Sequence, residues 1–561
     1  MTLLRPNSPA TEFSAALLAE FVRLGVHDVV LGPGSRSQAL ALAAAEFERL
    51  GRLRLRVRID ERVGGFLALG IAVETNAPVL LITTSGTAVA NLHPAVLEAH
   101  HSGVPLIIIS ADRPEALRGL GSNQTTEQPG IFGAAVLRTW DVGPPSGEPG
   151  EADAAAVLAR DAMADVSGPV HLNLSFAEPL SSPFTLESGD DQPVEPVEWV
   201  PAGNRAVRLD AQPELFTPLT LAAKPSTIVI AGTGAGERAE EVARQLGVPM
   251  IAEVSSGAHF GPNLIVAYRE LLAETMFGGR VERVIVFGHP TLSREVPAII
   301  QRDNVETIVV RGSSADDYNP GRRVREFADS VVVEPGQVDR AWLGTWVSAS
   351  RALTEPVEVA PDPTADAGAH ARAELAAVRA PVTRRSLAEA VWRATWPHDR
   401  LVLGASRLIR EVDRVAPGKK IRVHANRGLA GIDGTISTAL GIALSSQADA
   451  ATSAGTTRVL LGDLAFFHDV GALLFGAREL RPRIQVIVGN DGGGTIFDGL
   501  EVGAFAGPAF DRVLLTPQQA SIEQLATAYG WDYSRVETRG GLDQSLTASL
   551  NPTVIEVPLD R

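Results

Sequence analysis

Short apolar runs that stop at glycine, aspartate or asparagine recur from one end of the chain to the other. Val459-Leu460-Leu461 ends at Gly462-Asp463, and Ile484-Gln485-Val486-Ile487-Val488 ends at Gly489-Asn490-Asp491-Gly492. Between such runs the apolar positions take helical spacing. Strand-length apolar runs alternating with helical stretches predict buried parallel strands and an α/β chain of doubly wound domains with mostly parallel sheets. Two segments break the alternation. Residues 181–225 and 354–368 are rich in proline, aspartate and glutamate and read as linkers. Three domains are therefore expected, over residues 1–185, 186–360 and 361–561.

The first and third domains carry the same pattern twice. The stretch from Val29 (VVLGPGSRSQAL) matches that from Leu401 (LVLGASRLIREV), and ALGIA occurs at Ala68 and again at Ala439. The stretch from Ala77 parallels that from Thr457, and the stretch from Val104 parallels that from Ile484. The offsets are 404 − 32 = 372 and 439 − 68 = 371 for the first two pairs, then near 380 for the later two. Four matches in one order at a nearly constant offset point to duplication, beyond the vocabulary that all α/β units share.

Composition narrows the chemistry. With 561 residues the chain has room for several cores. No apolar run approaches the roughly 18 residues of a membrane span, and the N-terminal residues lack a charged segment followed by an apolar one, so a cytoplasmic protein without a membrane span is expected. The absence of cysteine excludes disulfides, thiolate metal sites and a cysteine nucleophile. A net charge of −16 argues against a nucleic-acid partner. An anionic small molecule must then be drawn in by a local cluster of arginines.

A β-helix-β crossover brings the carboxyl ends of two parallel strands to one sheet edge, where ligands of this architecture bind. Asp463 and Asn490, 490 − 463 = 27 residues apart, are thus expected to face one crevice. Magnesium takes about six oxygens and leaves several for phosphate and water. A carboxylate, an amide oxygen and a carbonyl in the Gly492 loop suit a metal-diphosphate, and the helix starting near Leu464 adds N–H donors for an anion. Taken singly, Asp463 reads as a helix cap and Asn490-Asp491-Gly492 as a turn. Their pairing at this spacing favours the metal-diphosphate.

These residues resemble the thiamine-diphosphate signature, with Leu464 in place of the usual third glycine and Gly489 in place of the usual first asparagine. The ordered set PGSRS (Pro33–Ser37), IDER, TSGTAVANL (Thr84–Leu92), SADRP (Ser110–Pro114), SNQTTEQ (Ser122–Gln128), NRGLAGIDGTISTALG (Asn426–Gly441) and GDLAFFHD is similar to the 2-succinyl-5-enolpyruvyl-6-hydroxy-3-cyclohexene-1-carboxylate synthases, thiamine-diphosphate enzymes of menaquinone biosynthesis. The resemblance covers the first and third domains well and the middle one thinly. It implies decarboxylation of 2-oxoglutarate and transfer of what remains to isochorismate, with thiamine diphosphate and Mg2+ or Mn2+ as cofactors.

The resemblance also assigns residues. Glu61 is the catalytic carboxyl, expected to be buried and to contact the cofactor's pyrimidine, with Asp463, Asn490 and Gly492 as metal ligands. Gly462, Asp463, Leu464, Asn490, Ile496 and Phe497 are implied to bind the cofactor. Ile432 is either an apolar wedge beneath it or core packing. Ser35, Arg36, Arg113, Asn123, Gln124, Ser406, Arg410 and Arg427 are implied to bind the dicarboxylate substrates, and Arg294 matches more weakly, at a position where the family can carry lysine. Guanidinium forks suit carboxylates better than ammonium does. Domain 1–185 is implied to bind the pyrimidine, and domain 361–561 the diphosphate, with a central α/β domain between. The first domain of one chain and the third of another are implied to enclose each cofactor, in a homodimer or a dimer of dimers.

Two further motifs are read as not functional. His100-His101 lies on an expected helix 97–102 and reads as structural. Ala231–Glu237 (AGTGAGE) resembles a dinucleotide turn but has Glu237 in place of the third glycine. Two rival functions stand beside the first. One is another thiamine-dependent 2-oxoacid decarboxylase or an acetolactate-synthase-like carboligase, for which the arginine set would be superfluous. The other is a noncatalytic binding protein of the same fold.

Overall fold

The computed structural model describes residues 8–561 apart from 165, 184, 187–217, 315, 335, 337–338, 355–366, 449–454, 506 and 548. Most of the two expected linkers lies outside the described residues.

The first sheet contains β1 (Asp28–Leu31), β2 (Arg54–Val57), β3 (Val79–Thr83), β4 (Leu106–Asp112), β5 (Thr139–Val142) and β6 (Val170–Ser175). Centrally, β7 (Leu219–Leu221) and β13 (Val331–Val333) form a ribbon, and β8 (Thr227–Ala231), β9 (Met250–Ala252), β10 (Arg283–Phe287), β11 (Glu306–Val310) and β12 (Glu326–Ala328) form a five-stranded sheet. The last sheet contains β14 (Arg400–Leu403), β15 (Arg422–His424), β16 (Thr457–Gly462), β17 (Ile484–Asn490), β18 (Asp532–Arg535) and β19 (Thr553–Pro558). Strand pairing is parallel within all of these sheets. As the continuous apolar runs require, β1, β3 and β4 are buried along their whole length.

The first sheet runs β2-β1-β3-β4-β6-β5 and the last runs β15-β14-β16-β17-β19-β18, the same order strand for strand. Each segment matched in the sequence falls on the equivalent element: β1 with β14, β3 with β16, β4 with β17, and the two ALGIA segments on the helices Glu61–Thr75 and Thr435–Ser446.

By packing, the described chain forms two compact units. The first comprises residues up to 204 with 436–448 and 471–481, and the second comprises the remainder. Within the first unit the two ALGIA helices press their glycines together. A Cβ on Gly70 would lie 2.0 Å from the carbonyl oxygen of Thr438, and one on Gly441 would lie 2.2 Å from that of Leu67. The Glu61–Thr75 helix is capped by Asp60, whose carboxylate accepts from the N–H groups of Arg62 and Val63, and it closes at Asn76 in the left-handed region. It is buried from Val63 to Ala72.

Candidate active site

In the second unit β16 and β17 pair with Gly462 opposite Gly489, so Asp463 and Asn490 come off neighbouring strand ends side by side. Asp463 is 3% exposed, and its carboxylate accepts from the N–H of Leu464 at 2.9 Å. It has no ion pair among the described residues. Burial pushes its carboxyl up to about 6, and the charge of Asp491 adds to this. A buried acid without a counter-charge is suited to a cation. The Asn490 amide is aimed from behind: its Nδ2 donates to Glu556 Oε1 at 2.7 Å, and Glu556 also accepts from the Tyr533 hydroxyl at 2.6 Å. This leaves the Asn490 Oδ1 turned to the loop, where it accepts from Gly492 N at 3.3 Å. The loop backbone at Gly492 and Gly493 has φ of 78° and 128°, which glycine alone adopts without strain. These donors fit a divalent metal and a diphosphate.

Gly489 has a packing reason. A Cβ there would meet Cδ methyls of Leu408 at 2.9 Å, Leu559 at 3.0 Å and Leu387 at 3.3 Å, so the asparagine usual in the signature would need these leucines to shift.

A cavity of about 310 Å³ opens at this sheet edge, and its walls include nine of the expected residues: Ser406, Arg410, Arg427, Ile432, Gly462, Asp463, Leu464, Ile496 and Phe497. The lining also includes Gly489, Asp491 and Gly493, which flank Asn490 and Gly492. The cavity sits beside the boundary of β14 and β16, where the strand order reverses. Ser406, at φ 109°, holds a backbone conformation costly for a serine, and its carbonyl accepts from Arg410 Nη1 at 2.6 Å. Burial, followed by the charge of Arg269, lowers the pKa of Arg410, so an anion in the cavity gains a poorly solvated guanidinium as partner. Arg427, 4% exposed, donates from Nε and Nη2 to Thr291 Oγ1 at 3.0 and 2.7 Å. Arg294 is exposed at the N-cap of the helix Glu295–Ile300, on the same loop as Thr291.

The first unit gathers a second set. Arg36 donates to the Phe176 carbonyl at 2.9 Å, and burial and then the charge of Arg113 lower its pKa, which places the two guanidiniums in each other's field. Arg113 donates to Ser85 Oγ at 2.8 Å and to the Gln124 carbonyl. Gln124, at φ 53°, donates from Nε2 to the Ser85 carbonyl at 3.0 Å. Its loop is anchored by buried Gln128, which accepts from Gly86 N at 2.9 Å and donates to Asn173 Oδ1 at 2.8 Å. Asn123 and Ser35 are exposed at this loop and the adjacent turn.

Glu61 is half-buried within its own unit: as the first residue of its helix it lies over the end of β1, its Cγ 3.2 Å from where a Gly32 Cβ would stand, and part of it stays accessible. The His100-His101 helix begins earlier than expected, spanning His93–Ser102, with the two rings edge to face at 5.1 Å. The glycines of AGTGAGE serve loop packing: a Cβ on Gly232 would lie 2.1 Å from Pro290 N. Sequence reasoning missed Thr291 and Glu556, and also Arg407 and Asp491, which line the cavity. Arg407 and Asp491 each adjoin an assigned residue, and that adjacency was the available signal, whereas Thr291 and Glu556 meet their partners only through the fold.

A profile for the thiamine pyrophosphate enzyme, N-terminal TPP binding domain, matches residues 11–132. Relatives extend over the whole chain. The 2-succinyl-5-enolpyruvyl-6-hydroxy-3-cyclohexene-1-carboxylate synthase of Leifsonia xyli is 58% identical, covering 99% of this chain and 98% of its own. That of Clavibacter michiganensis is 56% identical over 99% of this chain and 97% of its own, and that of Kineococcus radiotolerans 42% identical over 96% and 94%.

Proposed function

The chain belongs to the 2-succinyl-5-enolpyruvyl-6-hydroxy-3-cyclohexene-1-carboxylate synthase family, and from that premise we propose how its residues divide the reaction. It is a thiamine-diphosphate-dependent enzyme that decarboxylates 2-oxoglutarate and transfers what remains to isochorismate, a step of menaquinone biosynthesis. Thiamine diphosphate, when bound, supplies the carbon centre that takes up the electrons released by decarboxylation.

Asp463, Asn490 and the Gly492 carbonyl hold a divalent cation, magnesium or manganese, and through it the diphosphate. Glu556 fixes the Asn490 amide, whose oxygen would then be free to serve that cation. Ile432, Leu464, Ile496 and Phe497 give the cofactor an apolar bed beside Gly462 and exclude water. Glu61 would hold a proton for the pyrimidine N1′, on which the basicity of the cofactor's amino group depends. Arg410 and Arg427, with Ser406, receive substrate carboxylates in the second unit. Arg36 and Arg113, with Ser35, Asn123 and Gln124, receive them in the first, and Arg294 adds charge from the central domain. The active unit is at least a homodimer in which residues 1–185 of one copy and 361–561 of the other enclose each cofactor. In such an assembly the open side of Glu61 is covered.

The observation that carries the substrate assignment is the meeting of Arg410, Arg427 and Asp463 on one cavity. A pyruvate-using carboligase has no need of two guanidiniums there. Carbon dioxide release from 2-oxoglutarate, with and without isochorismate, tests it. Release from pyruvate at an equal or higher rate overturns it.

A further inference from the structure

Glu253 follows β9 and is fully enclosed, at 0% exposure. Its Oε1 accepts from two successive backbone N–H groups, Thr291 at 2.7 Å and Leu292 at 2.6 Å. Burial and then the charge of Asp413 raise its pKa, while the two N–H groups and the charge of Arg427 oppose the rise, and in either protonation state Oε1 serves as a fixed acceptor.

The segment it grips is held from the other side as well. Thr233 and His289 exchange backbone hydrogen bonds of 3.2 and 2.9 Å. A Cβ on Gly288 would lie 2.4 Å from the Thr233 carbonyl oxygen, so the two turns meet backbone to backbone. Thr291 thus has little freedom, although it sits on a loop. Its hydroxyl oxygen accepts from both Nε and Nη2 of Arg427, at 3.0 and 2.7 Å, and its carbonyl accepts from Nη2 at 3.2 Å. One edge of the guanidinium is therefore fixed to the central domain while the residue lines the cavity. A planar fork recognises a carboxylate only within a narrow range of angles, so what fixes its plane sets its affinity.

We propose that Thr291 and Glu253 are positioning residues for substrate recognition: Glu253 fixes the Thr291 segment, Thr291 fixes the plane of Arg427, and this chain gives the central domain its part in binding a dicarboxylate. The proposal rests on the reading that Arg427 receives a substrate carboxylate.

Steady-state kinetics of the thiamine- and magnesium-loaded enzyme, varying 2-oxoglutarate and isochorismate in turn, test it beside proton NMR of C2-H exchange in the bound cofactor. Arg427→Ala should raise KM for one dicarboxylate about thirtyfold, and Thr291→Val should raise it for the same one about tenfold, with kcat and exchange changed less than about twofold in both. Thr291→Ser keeps the acceptor and should restore the KM. The double variant Thr291→Val, Arg427→Ala should be no worse than Arg427→Ala alone. Glu253→Gln, a neutral isostere with its carbonyl oxygen in place, should keep the KM, whereas Glu253→Leu should raise it. Should the leucine variant fail to fold, the Thr291 pair decides. If Arg427→Ala raises KM and Thr291→Val does not, the positioning chain is wrong and the site stands. If Arg427→Ala leaves both KM values unchanged, the site reading falls and the chain with it.

Discussion

Gly70 and Gly441, equivalent positions of a duplicated sequence, lie where two helices cross, and backbone of the opposite helix occupies the space that a Cβ on each would need. The two clashes are reciprocal: Gly70 against Thr438 and Gly441 against Leu67 share the sequence offset 438 − 67 = 441 − 70 = 371, which is the mark of a local twofold relation between the helices.

Either Gly70→Ala or Gly441→Ala forces backbone apart, since the obstacle is a carbonyl rather than a flexible side chain. Each should cost about 3 kcal/mol of stability in urea unfolding. A loss below about 1 kcal/mol would show that the crossing yields easily.

The metal site should fail in two degrees. Asp463→Ala removes the one charged ligand and should abolish magnesium-dependent binding of thiamine diphosphate. Glu556→Ala only frees the Asn490 amide to turn, and should weaken binding about tenfold. Calorimetric titration with and without magnesium distinguishes them, and equal affinities in wild type and Asp463→Ala would sink the assignment.

Glu61→Gln keeps shape but not proton sharing. C2-H exchange and decarboxylation should both fall by orders of magnitude, on the order of 100-fold or more, while cofactor affinity changes less. An exchange rate equal to wild type by proton NMR rules out the role given to Glu61.

Arg36 lies in the field of Arg113, a repulsion that a substrate carboxylate between the two guanidiniums would relieve. Arg113→Met should raise KM for a dicarboxylate about thirtyfold and leave C2-H exchange intact. Arg113 also ties Ser85 to the Gln124 carbonyl, so a Gln124 loop that becomes susceptible to proteolysis, with kcat and exchange lost together, would mark it as structural instead.

His171 is fully buried, with its Nε2 at 2.7 Å from Ser110 Oγ and Phe132 against its ring, and burial lowers its pKa from 6.5 to about 4. The folded state therefore resists a proton that the unfolded chain accepts. Its contribution to stability is present above about pH 6.5 and is lost as pH falls towards 4. Between pH 7 and 5 the wild type should lose about 2 kcal/mol more than His171→Gln does. Parallel pH dependences of the two proteins would contradict this.

The strand ends were legible because their chemistry is local: Gly-Asp and Asn-Asp-Gly each follow an apolar run directly, and the repeat fixed which runs were equivalent. Shared strand order then follows from shared sequence. Thr291 was not legible, since nothing in GHPTLSREV marks a threonine hydroxyl as the seat of a guanidinium 136 residues away. Glu556 was hidden for the same reason, in a β19 that reads as ordinary strand. The half-burial of Glu61 lay beyond the sequence because burial depends on what covers the helix start, not on the residues within it.

The leucine cage around Gly489 carries a consequence for divergence. Restoring the signature's asparagine at that position presses on the Cδ methyls of Leu387, Leu408 and Leu559, and shrinking those leucines alone leaves a void beside the metal loop. The size of residue 489 is therefore coupled to that of the three leucines. Among related chains, residue 489 and these three leucines should travel as a group even though no two of the four are neighbours in sequence.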